Sequence, residues 1–396
     1  MANGVTAGIP RLRAWHGPAL LSYGFRPFFL FGAVYAGGAV LVWLPLFSGQ
    51  IELPSIFTPR DWHVHEMLFG FVPAIVTGFL LTAIPNWTGR LPLQGLPLLT
   101  LVVAWVAGRA AVTFAALIGW AAAAAIDVAF LVLVAAAASR EIVAGSNWRN
   151  LKVVIVVATL AAANLVFHLE VHFHGSADYA ARLGIGAVIL LISLVGGRLV
   201  PSFTHNWLAS RSKGRMPRPF GRFDMLTVAA SAAALVAWVA APFGPLTGAA
   251  LLAAGLLQSA RLLRWAGERT LANRLLLVLH VGYAFVPLGF ILAAAAALGM
   301  VPLSAASHAW TGGAVGVMTL AVMTRASLGH TGRALAASAG TQAIYALVVV
   351  AALARICSSL HPDWFMPLLW VAGAAWAAAF LGFAVLYAAP LCRPRI

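Results

Sequence analysis

The chain is a succession of long apolar runs cut by short polar or Pro/Gly-rich breaks, and the runs fall at 28–47, 65–84, 96–115, 118–138, 151–172, 183–204, 225–241, 246–263, 275–299, 306–326, 341–357 and 366–389. Most reach or approach the roughly 20 residues that a helix needs to cross a hydrocarbon core about 30 Å thick. The pattern predicts an all-α, multi-pass membrane bundle of about twelve helices, a single transmembrane domain over 1–396. Residues 1–27 form its N-terminal segment, and 205–224 a basic, Pro-rich loop too short for a core of its own. No repeat of 20 to 50 residues is evident. Alanine runs at 121–125, 135–138 and 293–297 read as close-packed helix faces. No apolar stretch followed by a small-residue cleavage site occurs at the start, so the first run is expected to remain as a helix.

Composition agrees with that class: 62% of the 396 residues are hydrophobic and 9% charged, against about a quarter charged in soluble chains. A net charge of +15 would suit a nucleic-acid partner. The Lys and Arg residues, however, fall almost wholly in short segments between apolar runs, so their role is topological and no nucleic acid is expected. The even-numbered connections and the tails, from Arg11 to Arg395, hold 20 of them, and the odd-numbered connections only Arg60, Arg182 and Arg355. By the positive-inside rule both termini are cytoplasmic.

Cys357 and Cys392 have neither CxxC spacing nor a disulfide framework, which excludes thiolate metal sites and iron–sulfur clusters. Histidine is the abundant metal ligand that remains. On the expected topology His63, His65, His168, His172, His174, His308 and His361 map to outer helix ends or outer loops, His16, His205 and His330 to the cytoplasmic side, and His280 to a span. Outer-loop and tail histidines such as His361, His16 and His330 need no partner, because a solvated imidazole carries no burial cost. Ionisable groups gathered at one membrane level are costly without a role, and His63, His65, His168, His172 and His308 therefore point to an imidazole-bound metal or haem.

Thr58-Pro59-Arg60-Asp61 is a helix start, with a cap residue, Pro at the first turn and a carboxylate three after the cap. His63 and His65 then lie in one helix, about 200° apart, and cannot both face one metal. Pro73 should kink that helix. His168 and His172, four apart, stack on one face in a chelating geometry, and His174 follows in the exit turn. Gly312, Gly313 and Gly316, after His308, allow a flat cofactor or a helix to approach closely. Arg109 and Asp127 flank a tight turn near residue 118 at equal spacing, at one depth on adjacent helices, and are expected to pair. Arg198 should snorkel or cap, and Trp62, Trp87, Trp207 and Trp310 read as interface anchors.

Five segments resemble the NnrS family of membrane proteins, associated with bacterial responses to nitric oxide and with haem and copper. They are SYGFRPFF from Ser22, WHVHEMLFGF from Trp62, GFLLTAIPNWTG from Gly78, GGRLVPSFT from Gly196, and His308-Ala-Trp with MTLAVMTRASLGHTGR from Met318. The resemblance implies a twelve-helix protein of the bacterial cytoplasmic membrane acting against nitrosative stress. Taken with the histidine map, it favours an oxidoreductase that joins two nitric oxide molecules into nitrous oxide at a haem and a second His-bound metal, copper or another. Haem ligation then falls chiefly to His65 and His308, and the second metal to His168 and His172. His63 and His280 are the substitutes at the haem, while His63 and His65 are further candidates for the metal. Glu66 and Glu170 would carry protons. With no CxxCH the haem is noncovalent and of b type, and electrons come from a quinol or separate carrier. Two competing readings are a haem protein that senses nitric oxide or protects iron pools without turnover, and a twelve-helix transporter. Against transport, the polar cluster lies at the outer face instead of the midplane.

Overall fold

The computed structural model describes residues 15–211 and 213–396. Arg11, Arg13 and the first part of the expected 1–27 segment lie outside the described residues. The chain is 81% helical without strands among those residues. Among the described residues twelve helical passages follow one another: α1 (Phe25–Phe47), α2 (Pro59–Thr88), α3 (Leu96–Thr113), α4 (Trp120–Ala144), α5 (Leu151–His174), α6 (Asp178–Ala209), α7 (Arg222–Ala240), α8 (Pro245–Leu263), α9 (Arg274–Ala297), α10 (303–330), α11 (Ala339–Leu360) and α12 (Phe365–Cys392). Eleven are long and apolar enough to span a membrane, and α10 is not among them. Its Ser, Thr, His and Gly residues dilute its apolar character. The expected loop at 205–224 is shorter in fact, because α6 continues to Ala209.

Starts and stops follow the local signals. Thr58 caps α2, its hydroxyl accepting from the Asp61 N–H at 3.2 Å, with Pro59 at the first position. Residues Glu66–Phe71 widen into a π turn just ahead of Pro73. Proline has no N–H for the carbonyl four residues back, so the expected disturbance takes the form of a widened turn. A second π turn, Ala309–Val315, interrupts α10 without a proline.

By contacts the chain forms two compact units: residues to 184 with 326–333 and 383–396, and 185–325 with 334–382. Within the first, α2 packs on α1 and α4, α3 on α4, and α4 on α5. Phe25, Phe28, Phe29, Phe69, Phe71, Phe130 and Phe167 fill its interior. Within the second, α8 packs on α7 and α9, and α10 on α9 and α11, around Trp238, Trp265, Tyr283 and Trp310. Helix association in lipid depends on close packing instead of burial from water. Gly24 illustrates it: an added Cβ would fall 2.4 Å from Leu81 Cβ. Large apolar side chains such as Leu96, Val236, Leu246 and Val385 stay exposed, as a lipid-facing surface requires.

Candidate metal centre

The first unit brings together two histidines, two carboxylates and one arginine in its apolar interior. Asp127 of α4 is the hub. One of its carboxylate oxygens is paired with the Arg109 guanidinium of α3, as the equal spacing around the turn predicts. Its other oxygen lies 2.8 Å from Asn164 Nδ2, 3.0 Å from His168 Nε2 and 3.1 Å from His65 Nε2. Arg109 also donates to Glu66 Oε2 at 2.7 Å, and the Tyr35 hydroxyl of α1 donates to that same oxygen. Glu66 Oε1 lies 3.1 Å from His65 Nδ1, and Asn164 Oδ1 2.9 Å from His65 Nε2. His65, Glu66, Asp127, Asn164 and His168 are each at most 1% exposed.

Sequence spacing explains how these side chains meet. His168 and Asn164 are one turn apart on α5 and share a face. Glu66 opens the π turn of α2, and Gly70 within that turn makes room for Arg109, since a Cβ there would sit 2.4 Å from Nη1. The rings of Phe57, Phe69 and Phe167, with centroids 5.2 to 5.4 Å from that of His65, line the ring with apolar surface.

Both nitrogens of His65 face carboxylate oxygens, and a neutral imidazole has one N–H to donate. One of these contacts thus calls for a second proton or for a cation. With both carboxylates ionised and the rings neutral, Glu66, Asp127 and Arg109 sum to one negative charge, which a bound cation would cancel in a medium where uncompensated charge is costly. One nitrogen each from His65 and His168 and one oxygen from Asp127 lie within 4.8 Å of one another, close enough to hold a metal ion. Two imidazoles and a carboxylate suit copper, zinc or iron. His168 Nδ1 is buried with no hydrogen-bond partner among the described residues.

The other expected site residues have separate surroundings. His63 projects from the opposite side of α2, as its two-residue offset from His65 demands, and stacks on Trp43 at 4.0 Å. His172 is exposed and stacks on Trp120 at 4.1 Å, so the expected His168 and His172 pair is divided between the interior and the rim. Glu170 accepts from the backbone N–H groups of Tyr179 and Ala180, at 2.9 and 2.8 Å, and caps the first turn of α6. In the second unit, His308 Nδ1 donates to the Ser304 carbonyl at 2.7 Å. His280 Nε2 lies 2.9 Å from the Thr204 hydroxyl, beside Trp265. His16, His174, His205 and His361 are exposed, and His330 lies against Tyr23 and Phe25. Sequence reasoning missed Tyr35 and Asn164 and gave Asp127 only its ion pair. The i, i+4 relation of Asn164 to His168 was the available signal.

A helical, multi-pass membrane protein with a buried histidine and carboxylate centre is thereby defined. The chain belongs to the NnrS family, whose model, described as NnrS protein, matches residues 19–395. Membership fits a membrane protein of the nitric oxide response. No curated protein matches the sequence.

Proposed function

We propose that this protein removes nitric oxide at the His65, Asp127 and His168 centre by reducing two molecules to nitrous oxide, working with a haem. The observation that carries the reading is His65, held between two carboxylates in an apolar interior with a second imidazole alongside. The donor set fits a copper ion or another divalent metal bound by His65, His168 and Asp127. His308 would be the residue to hold a haem, since its Nδ1–H is held by the Ser304 carbonyl and Nε2 then carries the ring's lone pair. When bound, haem and metal supply the redox chemistry.

Two nitric oxide molecules, two electrons and two protons give one nitrous oxide and one water. A quinol or a separate carrier supplies the electrons. This chain's residues supply order and protons. Tyr35, Glu66 and His65 form a hydrogen-bonded line that ends at the centre, so Glu66 can hold one proton beside it and, once that proton has been given up, be recharged from Tyr35. Arg109 bridges Glu66 to Asp127 and fixes both carboxylates. Phe57, Phe69 and Phe167 exclude water. Glu170 acts as a helix cap in this reading.

The test is metal analysis and optical spectroscopy on purified full-length protein, followed by nitric oxide consumption with reductant. His168→Ala should lose the second metal with the Soret band retained, His308→Ala should lose the Soret band, and Glu66→Gln should slow turnover with both groups in place. Nitric oxide binding without turnover in the loaded wild type would favour a sensor or iron-protecting role. Unchanged metal and haem in both alanine variants would remove the centre.

A further inference from the structure

The second unit contains a cleft of about 700 Å³ between the end of α6, the start of α9, the end of α10 and the segment leading into α11. Arg211, Arg274 and Arg325 line it, and none of its described lining residues is Asp or Glu. Arg325 is half-buried and lies over the Phe203 ring at 4.2 Å, and Arg211 lies over Trp207 at 4.4 Å. Aromatic faces therefore orient two of the three guanidinium groups. Arg274 occupies the first position of α9, where the helix dipole disfavours a cation, and neither α9 nor α11 has an acidic residue in its first turn. Gln342 adds an amide at the start of α11. Three like charges and two helix N-termini line one hollow, with no Asp or Glu among its described lining residues.

We propose that this cleft binds a phosphate oxyanion, carried either by an anionic phospholipid headgroup or by free phosphate. Guanidinium groups match phosphate in a bidentate geometry, and helix N-termini add N–H donors and positive potential. Phe203, Trp207 and Leu335 provide apolar surface for the glycerol and first acyl carbons of a lipid. The site is distinct from the proposed haem ligand, because Arg325 lies seventeen residues beyond His308 on α10, roughly 25 Å along the helix.

Full-length protein, purified in neutral detergent and stripped of lipid, would be titrated with phosphatidylglycerol, with phosphatidylcholine and with inorganic phosphate, reading affinity and thermal midpoint. Phosphatidylglycerol should bind wild type roughly tenfold or more tightly than phosphatidylcholine. The double variant Arg211→Gln/Arg274→Gln, which changes exposed side chains only, should lose that preference at an unaltered ligand-free midpoint. Arginine-dependent binding of inorganic phosphate, without preference between the lipids, would support the site and identify free phosphate as its source. The proposal fails if wild type shows neither preference nor phosphate binding, or if the double variant binds as wild type does.

Discussion

Helices α2 and α10 each place a histidine directly before a π turn, His65 ahead of Glu66–Phe71 and His308 ahead of Ala309–Val315. The correspondence continues at one constant offset. Pro59 matches Pro302, Gly70 matches Gly313, and Thr88-Gly89-Arg90 matches Thr331-Gly332-Arg333. A glycine of positive φ follows each helix, Gly89 at 69° directly after Thr88 and Gly332 at 82° two residues after His330. The residue after the histidine differs. Glu66 draws in Arg109, through it Asp127, and so places His65 in an ionic cluster. Ala309 has no charge to offer, and the α10 turn packs instead, through Trp310 and Gly313, against Trp238, Phe285 and Phe290. The same widening serves both: Gly70 gives space to a guanidinium and Gly313 to a phenyl ring, each of which a Cβ would meet within 2.5 Å. A shared backbone device thus sets the position of the histidine, and the adjacent side chain decides its chemistry.

The largest test of this contrast is Asp127→Asn, which leaves Arg109 with Glu66 as its one charged partner among the described residues. It takes one of the two carboxylate oxygens from the buried donors of Arg109, Asn164 and His168 that share them, so it should cost about 3 kcal/mol or more in unfolding experiments and abolish metal binding, with no comparable weak point expected around His308. Next come the paired variants Gly70→Ala and Gly313→Ala, each overpacking its turn by about 1–3 kcal/mol. Gly70→Ala alone should also lower metal content, because it displaces Arg109; equal metal loss in both would break the contrast. His63→Ala removes a stacked ring and should cost about 0.5–1.5 kcal/mol while leaving metal content as in wild type, against the loss expected of His168→Ala. The smallest effect belongs to an exposed ion pair. Arg215 donates to Glu268 at 2.6 Å and, chiefly by that hydrogen bond, holds its carboxyl below the ordinary value. A depressed folded pKa means the contribution is present above the unfolded value of about 4.3 and is lost as pH falls through the folded one. Glu268→Gln should flatten a slight acid-side decline in thermal midpoint.

Much of the fold was legible because its signals are local. Run length marked the twelve helical passages, the Thr58 to Asp61 cap located the start of α2, and the equal spacing of Arg109 and Asp127 about their turn predicted their pairing. The π turns were not legible. Pro73 announced a disturbance in α2 without its form, and α10 has no proline to announce one. Of the residues that meet in the candidate centre, His65, His168 and Glu66 were singled out from the sequence, but Tyr35 and Asn164 were not, because neither residue type signals a metal centre alone.

By itself the sequence determined that this is a multi-pass helical membrane protein, since apolar length and charge spacing are properties of the chain read in order. It also determined that His63 and His65 could not share one ligand, since helical geometry separates them by about 200°. Tertiary structure decided which histidines meet. His168 turns inward to Asp127 while His172, one turn later, reaches the rim and stacks on Trp120. The ion-pair hub at Asp127 draws on four helices, and the facing of each depends on helix rotation and on a widened turn that shifts register. Neither of these is encoded by the spacing of residues along any single run.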